Sequence, residues 1–155
     1  MLDNRMLLHQ SINSDDQLQM RRQATQMFTR IHFRAQLLAF LRSLFCQQTH
    51  LKSLNENNNE NGNGRSFTKP QYILIDQIEG SEGRSRDFDV DFRPLRRHIQ
   101  DRWINIALAC ARGVQMPPVD LIQVGDAYFV RDGHHRISVA KANGQKTIDA
   151  LVTVL

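Results

Sequence analysis

Apolar residues in the first third of the chain recur at the spacing of a helix. One series of positions three or four residues apart consists of Phe28, Ile31, Ala35, Leu38, Leu41 and Phe45. A second series runs beside it and consists of Phe33, Leu37, Phe40 and Leu44. Residues 1–61 contain neither glycine nor proline, so the pattern predicts a long helix or a helix pair with a wide apolar face. We expect that face to pack against the rest of the chain or against a partner subunit.

The stretch from residue 55 to residue 64 contains only Asn, Glu and Gly. Such a stretch has no apolar surface to bury and cannot offset the entropy cost of becoming ordered. It therefore predicts a boundary between two parts of the chain. We expect a helical N-terminal segment over residues 1–54, a low-complexity Asn/Gly linker over residues 55–69 and a folded domain over residues 70–155.

Short apolar runs separated by turn residues follow the linker. Residues 72–78 are rich in β-branched and aromatic side chains and predict a strand. Pro94 is placed to open a helix. The alternating carboxylates of Asp87, Asp89 and Asp91 predict the exposed face of an extended segment.

The last forty or so residues alternate strand, turn and helix patterns. Two stretches rich in apolar residues, 119–124 and 127–131, predict strands, and the pair Gly125-Asp126 between them predicts a tight hairpin. A helix over residues 134–143 and a strand over residues 147–154 follow. Together these elements predict the α+β class, with a small mixed sheet and packed helices preceded by a helical N-terminal arm.

Composition narrows the class of protein further. The 155 residues are 41% hydrophobic and 23% charged, which is ordinary for a globular protein. The two cysteines form no C-x-x-C pair, and the longest purely apolar run is six residues, 106–111. We therefore expect no disulfide scaffold, no cysteine zinc site, no membrane span and a cytoplasmic location.

Charge is unevenly distributed along the chain. Residues 17–54 hold six basic side chains and no acidic one. A basic helix of this kind could contact the phosphate backbone of DNA or an acidic membrane surface. A solvated helix face explains the same charges.

The turn Asp132-Gly133-His134-His135-Arg136 lies between a predicted strand and a predicted helix. The first backbone N–H groups of a helix attract anions, and the histidines and Arg136 add side-chain donors. Asp132 could hold Mg²⁺ or accept a hydroxyl proton. The pattern predicts a phosphate site, and a capping turn on the surface is the alternative.

A second loop, over residues 79–86, carries candidate groups for the same ligand. Arg84 and Arg86 could neutralise phosphate charge, and Gly80 and Gly83 would let the backbone approach it. The alternative is a flexible polar loop.

The run Pro-Pro-Val-Asp-Leu-Ile-Gln-Val-Gly-Asp-Ala-Tyr-Phe-Val-Arg-Asp-Gly-His-His-Arg-Ile-Ser-Val-Ala, residues 117–140, resembles the ParB/sulfiredoxin superfamily. The stretch over residues 144–150 fits the same pattern, and the resemblance extends over residues 71–155. It implies a ParB/sulfiredoxin-like domain that holds nucleotide phosphates at residues 133–136. In sulfiredoxins the catalytic cysteine stands at the position of His134, so the resemblance does not imply sulfinic acid reduction here.

Two other branches of the superfamily imply different roles. In ParB partition proteins the matching turn binds the phosphates of CTP, and Gly133 and Arg136 match it. In free serine kinases the turn has a form closer to Asp-Gly-His-x-Arg. That form would place Asp132, His134, His135 and Arg136 in a nucleotide and catalytic cluster, with Glu82 as the candidate second carboxylate.

Three functional hypotheses follow from these patterns. The first is a nucleotide-binding module, regulatory or associated with DNA, as in chromosome partitioning. The second is an ATP- or ADP-dependent phosphotransferase with Asp132 and Glu82 as catalytic residues. The third is a non-catalytic protein that interacts, for example as a homodimer, through its helical arm. Under the first two hypotheses we expect a nucleoside di- or triphosphate as the ligand, with Mg²⁺ bound to its phosphates.

Overall fold

The N-terminal arm is one continuous helix. The computed structural model describes residues 3–45, 49–54, 65–66 and 70–155. Helix α1 (Asp3–Leu44) has 42 residues. Its inner face buries Ala24, Phe28 and Ala35, which confirms that the helix packs against the rest of the chain.

Seven strands of the described residues form one mixed sheet. In chain order they are β1 (Lys52–Ser53), β2 (Arg65–Ser66), β3 (Gln71–Leu74), β4 (Ile78–Ser81), β5 (Val119–Val124), β6 (Ala127–Asp132) and β7 (Thr147–Val154). Their spatial order is β1-β4-β6-β5-β7-β2, and β3 also pairs with β7. Helices α2 (Gln100–Ala111) and α3 (His134–Ala142) complete the domain. The α+β class is therefore confirmed.

Strand direction decides which loops come together. Strands β5 and β6 form the predicted antiparallel hairpin, and its turn residue Gly125 has φ = +60°. Strands β4 and β6 pair in parallel. Because parallel strands end at the same edge of a sheet, the loop after β4 and the turn after β6 are neighbours.

A single core joins α1 to the C-terminal domain. Trp103 on α2 is fully buried, and its ring meets that of Phe28 edge-on with centroids 5.6 Å apart. The Trp103 Nε1–H donates to Ser138 Oγ on α3 at 2.9 Å. Residues 55–64 and 67–69 lie outside the described part of the chain, so the linker stays a prediction.

Three predictions of local structure between residues 72 and 100 are wrong. The strand predicted over residues 72–78 is interrupted by a 3-10 turn over Ile75–Gln77. Helix α2 begins at Gln100 and not at Pro94. The predicted exposed carboxylate face does not exist, because Asp89 is fully buried.

The Pro94 carbonyl oxygen accepts a bond from His32 Nδ1 on α1 at 2.9 Å and not from a following helical turn. The segment before Pro94 is held by the buried carboxylate of Asp89. Its Oδ1 accepts the backbone N–H groups of Asp91 at 2.9 Å and Arg93 at 2.8 Å. The Arg93 guanidinium also donates to Asp89 Oδ2 at 3.2 Å. These bonds hold the segment in a tight turn, since an aspartate side chain competes with helical backbone bonds.

No helix among the described residues is both long and apolar enough to cross a bilayer.

Candidate functional site

One cleft collects the turn after β6 and the loop after β4. Its lining residues are Arg84, Arg102, Ile106, Asp132, Gly133, His134, His135 and Arg136. Six of these eight were candidates from the sequence. The parallel pairing of β4 with β6 brings Arg84 to the turn, and α2 supplies Arg102 from the opposite side.

Gly133 sets the direction in which α3 leaves the sheet. Its φ is +102°, in the left-handed region. A Cβ atom at this position would lie 2.5 Å from Val119 Cγ1, so a larger residue cannot occupy it without movement. Within the described part of the chain, no side chain caps the N-terminus of α3. The first backbone N–H groups of the helix therefore remain available at the cleft.

His134 is held in one protonation state by Ser81. The Ser81 hydroxyl accepts the backbone N–H groups of Gly83 at 3.2 Å and Arg84 at 2.9 Å. Because a hydroxyl has two lone pairs and one proton, its proton goes to His134 Nε2 at 2.6 Å. The neutral imidazole then carries its own proton on Nδ1. Burial, followed by the charges of Arg84 and His135, lowers the pKa of His134 to about 4.

His135 is buried but incompletely bonded. The residue is 5% exposed, and its Nε2 has no hydrogen-bond partner among the described residues. The ring meets Phe88 edge-on, with centroids 5.5 Å apart. Burial, followed by the charges of Arg102 and Arg84, lowers the pKa of His135 to about 4. Near pH 7 both histidines are therefore neutral, and the positive charge of the cleft comes from its arginines.

Arg136 already uses most of its donors within the chain. Its Nη1 donates to the carbonyl oxygens of Pro117 at 2.6 Å and Pro118 at 2.7 Å. Its Nη2 donates to Asp132 Oδ2 at 2.6 Å. The guanidinium thus ties the start of α3 to the start of β5, and it has few N–H groups left for a ligand.

Arg84 and Arg102 are the cations of the cleft that remain open to solvent. The Arg84 side chain is 47% exposed and is 3.9 Å from Asp87 Oδ2, a long ion pair. Arg102 is exposed and forms no ion pair with any residue in the described ranges. Both guanidinium groups are close enough to depress the pKa of His135.

Two candidates from the sequence do not line the cleft. The carboxylate of Glu82 accepts a bond from Arg131 Nε at 3.0 Å. Arg86 is exposed and is not part of the cleft wall.

The described part of the chain contains no group of three or more His, Cys, Asp or Glu side chains that could hold a metal ion. Asp132 is the one carboxylate in the cleft wall, with a side chain that is 60% exposed and paired with Arg136. Asp132 by itself is a single ligand, so any Mg²⁺ there would need ligands from a bound phosphate.

Sequence reasoning missed Ser81 and Arg102. Ser81 lies at the end of β4, and nothing in its sequence context distinguishes it from other loop serines. Arg102 immediately precedes the buried Trp103 on α2. Since Trp103 faces the core, its neighbour on the helix had to face elsewhere, but only the packing of α2 shows that it reaches the cleft.

Comparison with known proteins adds one similarity of fold. No protein-family model matches the chain, and no curated protein matches it. Among solved structures, sulfiredoxin from Arabidopsis thaliana is similar, with 19% sequence identity and a TM-score of 0.41. The match covers 54% of this chain and 82% of that chain. At this TM-score the likeness carries no argument about the site.

Proposed function

We propose that the cleft at the start of α3 binds the phosphates of a nucleoside di- or triphosphate. The observation that carries the proposal is the uncapped N-terminus of α3 beside His135, whose buried Nε2 lacks a partner. Free backbone N–H groups at a helix N-terminus favour anions. A buried polar atom without a partner costs about 1–3 kcal/mol, and a bound ligand would supply the missing bond.

The arginines divide between two tasks under this proposal. Arg136 positions the turn through Pro117, Pro118 and Asp132. Arg84 and Arg102 contact the phosphate oxygens, since their guanidinium groups are exposed at the rim. Mg²⁺ would accompany the nucleotide, bound mainly by phosphate oxygens with Asp132 nearby.

A regulatory role is favoured over phosphoryl transfer. The carboxylates of Asp132 and Glu82 are each bonded to an arginine, at 2.6 Å and 3.0 Å. Both carboxylates thus already accept a bond from a guanidinium, and Glu82 does not line the cleft. An acceptor hydroxyl would have to compete with Arg136 for Asp132.

Association with DNA would be a separate property of α1. Arg42 and Lys52 are ion-paired to acidic residues of the domain. Four further basic residues, all on α1, are exposed: Arg21, Arg22, Arg30 and Arg34. Nonspecific binding through them would weaken steeply with salt, and it would be measured by fluorescence anisotropy with a labelled duplex over a salt series.

Nucleotide binding is tested with a thermal-shift and calorimetric panel of ATP, ADP, CTP, GTP and pyrophosphate, each with and without Mg²⁺. A ligand at 100 times its Kd should stabilise the fold by about 2.7 kcal/mol. Arg102→Gln should weaken binding about tenfold or more, because an ion pair to phosphate is lost. Tighter binding of one nucleotide than of pyrophosphate would show that the protein also recognises the nucleoside.

Arg112→Gln is the matched control, since Arg112 is also exposed but lies at the other end of α2. It should bind as the wild type does. If no compound in the panel binds, or if both variants lose affinity equally, the proposal is wrong. Product formation from ATP or ADP with free hydroxy amino acids would instead favour the phosphotransferase.

A further inference from the structure

The outward face of α1 carries apolar side chains that nothing in the described chain covers. Five residues form this outer stripe, and they are Phe33 (65% exposed), Leu37 (49%), Phe40 (63%), Leu41 (41%) and Leu44 (63%). The opposite face of the same helix is buried, with Phe28 at 1% and Ala35 at 0% exposure. An isolated exposed leucine needs no explanation, but a contiguous patch of this kind marks an interaction surface.

The spacing of the outer stripe is that of a helix–helix seam. Phe33, Leu37, Phe40 and Leu44 are separated by four, three and four residues, which is the a/d pattern of paired helices. Leu41 widens the seam on one side. Four seam positions extend over three turns of α1, about 16 Å.

The rest of this chain does not offer a cover for the stripe. Residues 55–64, outside the described ranges, contain no apolar side chain. The other undescribed residues between 45 and 70 include only Cys46 and Phe67 as apolar ones. Residues 3–13 belong to the same continuous helix and lie at least about 30 Å away along its axis.

We propose that the outer stripe pairs with the outer stripe of a second copy of this chain, with the two α1 helices antiparallel. A two-fold axis between positions 38 and 39 places Phe33 opposite the partner's Leu44, and Leu37 opposite the partner's Phe40. Each apolar seam residue then meets an apolar residue, as a self-complementary interface requires.

Charge favours this antiparallel arrangement over a parallel one. In a parallel pair the seam would continue towards the N-terminus and bring Arg30 against the partner's Arg30. In the antiparallel pair Arg34 lies beside the partner's Leu41, and the two Arg34 side chains are about 13 Å apart along the helices. That separation exceeds the screening length of about 8 Å at physiological salt.

The flanks of the stripe also distinguish a second copy from a lipid surface. A basic residue flanks it on one side only, at Arg34, whereas Thr29, Gln36 and Ser43 on the other side are uncharged. A helix lying in an anionic membrane surface carries basic residues along its whole polar face. Here Arg42, which could extend that set, is turned towards Asp89 and Asp91.

The area of the stripe is sufficient for a stable pair. Two phenylalanines and three leucines at these exposures present on the order of 500 Å² of apolar surface per copy. Pairing would therefore bury about 1,000 Å² in total before polar residues at the rim are counted, which reaches the lower range of specific interfaces.

Sedimentation velocity of the full chain tests the pairing. The wild type should sediment as a dimer at tens of micromolar, and Leu37→Lys with Phe40→Lys should raise the dimer Kd about 100-fold or more, because two charges per copy enter the seam. Gln23→Lys with Gln26→Lys is the matched control, since both residues are exposed and continue the same line of α1. The control should change the Kd less than about threefold.

Cross-linking tests the direction of the helices. In a chain with Cys46→Ser and Cys110→Ser, Gln36→Cys and Ser43→Cys are prepared as separate proteins. Antiparallel pairing places position 36 beside the partner's position 43. Only the mixture of the two proteins should therefore form an intermolecular disulfide rapidly.

Three results would overturn the proposal. The wild type could remain monomeric at about 100 µM, far above the Kd expected for such an interface. The lysine pair in the seam could leave the dimer intact, which would place the interface elsewhere. A monomer that binds vesicles of phosphatidylcholine and phosphatidylserine, and loses that binding with the seam lysines, would identify a lipid surface as the occupant.

Discussion

The start of α3 and the outer stripe of α1 depart from the usual distribution of residues in opposite ways. The first places polar side chains inside the protein, with His134 and His135 each at most 5% exposed. The second places phenylalanines and leucines outside it, 41–65% exposed. A buried polar group and an exposed apolar patch are the two observations that most often mark function.

The two regions differ in how many of their side chains already have partners within the chain. At the start of α3, His134 is bonded to Ser81, and Arg136 is bonded to three acceptors. Among the described residues, His135 Nε2, the helix N–H groups and the exposed guanidinium groups of Arg84 and Arg102 are left for a ligand there. A small anion can satisfy these few donors. The outer stripe has no intramolecular partner among the described residues, so it needs a whole surface to cover it.

The largest expected effect is a difference in stability between variants on the two faces of α1. Phe28→Ala removes a fully buried ring and should lower the free energy of unfolding by about 4 kcal/mol. Phe40→Ala removes an exposed ring and should change it by less than about 0.5 kcal/mol in the monomer. Urea unfolding at submicromolar protein, followed by the fluorescence of Trp103, measures both. Equal losses would mean that the outer stripe is packed within the monomer.

Gly133→Ala should have the next largest effect, about 3–4 kcal/mol of destabilisation. The added Cβ would lie 2.5 Å from Val119 Cγ1, and the residue has φ = +102°, which strains any side chain. Gly83→Ala is the control, because nothing lies within 4 Å of its Cβ position, and it should cost less than about 1 kcal/mol. Urea unfolding compares the two, and a mild Gly133→Ala variant would show that the turn is not held as described.

Acidification should destabilise the protein through the two buried histidines. Their folded pKa of about 4 lies below the model-peptide value of 6.5. As the pH falls from 6.5 to 4, the unfolded state therefore binds more protons. Stability is lost across that window, by up to about 3 kcal/mol per histidine.

A histidine variant isolates this contribution from that of the carboxylates. Unfolding free energies are measured from pH 7.5 to pH 4 for the wild type and for His135→Asn, whose slope should be shallower. His98→Asn is the control, because the His98 side chain is 67% exposed. Identical slopes in all three proteins would show that folding does not lower the pKa of His135.

Ser81→Ala should have the smallest effect of the series, about 2 kcal/mol. It removes the buried proton donor of His134 and the acceptor for two partly buried backbone N–H groups. Ser85→Ala, in the same loop and only partly buried, should cost less than about 0.5 kcal/mol. Ser81→Ala should also weaken nucleotide binding, since the backbone N–H of Arg84 loses its acceptor and the position of Arg84 is less fixed. An unchanged pKa of His134 by NMR titration would contradict the role given to Ser81.

Patterns that depend on neighbouring residues were predictable. The hairpin of β5 and β6, helix α3 and strand β7 follow from alternation, turn residues and a glycine stop, all of which act over a few positions. The same locality explains why the turn at residues 132–136 was found. Pro94 shows the limit, because its carbonyl oxygen bonds to His32 Nδ1 on α1, 62 positions away, and not within a helix.

The sequence by itself determined the α+β class, the helical character of the N-terminal arm and the polar turn that opens α3, because each depends on short-range periodicity or on single residues such as Gly133. The structure decided that the arm is one helix and not a pair. Only the tertiary structure decided that Ser81 and Arg102 join that turn, since the parallel pairing of β4 with β6 and the packing of α2 bring together residues about 20 to 50 positions apart. It also decided which apolar series of α1 is buried. Both series have helical spacing, and only the position of the sheet and of Trp103 leaves the Phe33 series outside.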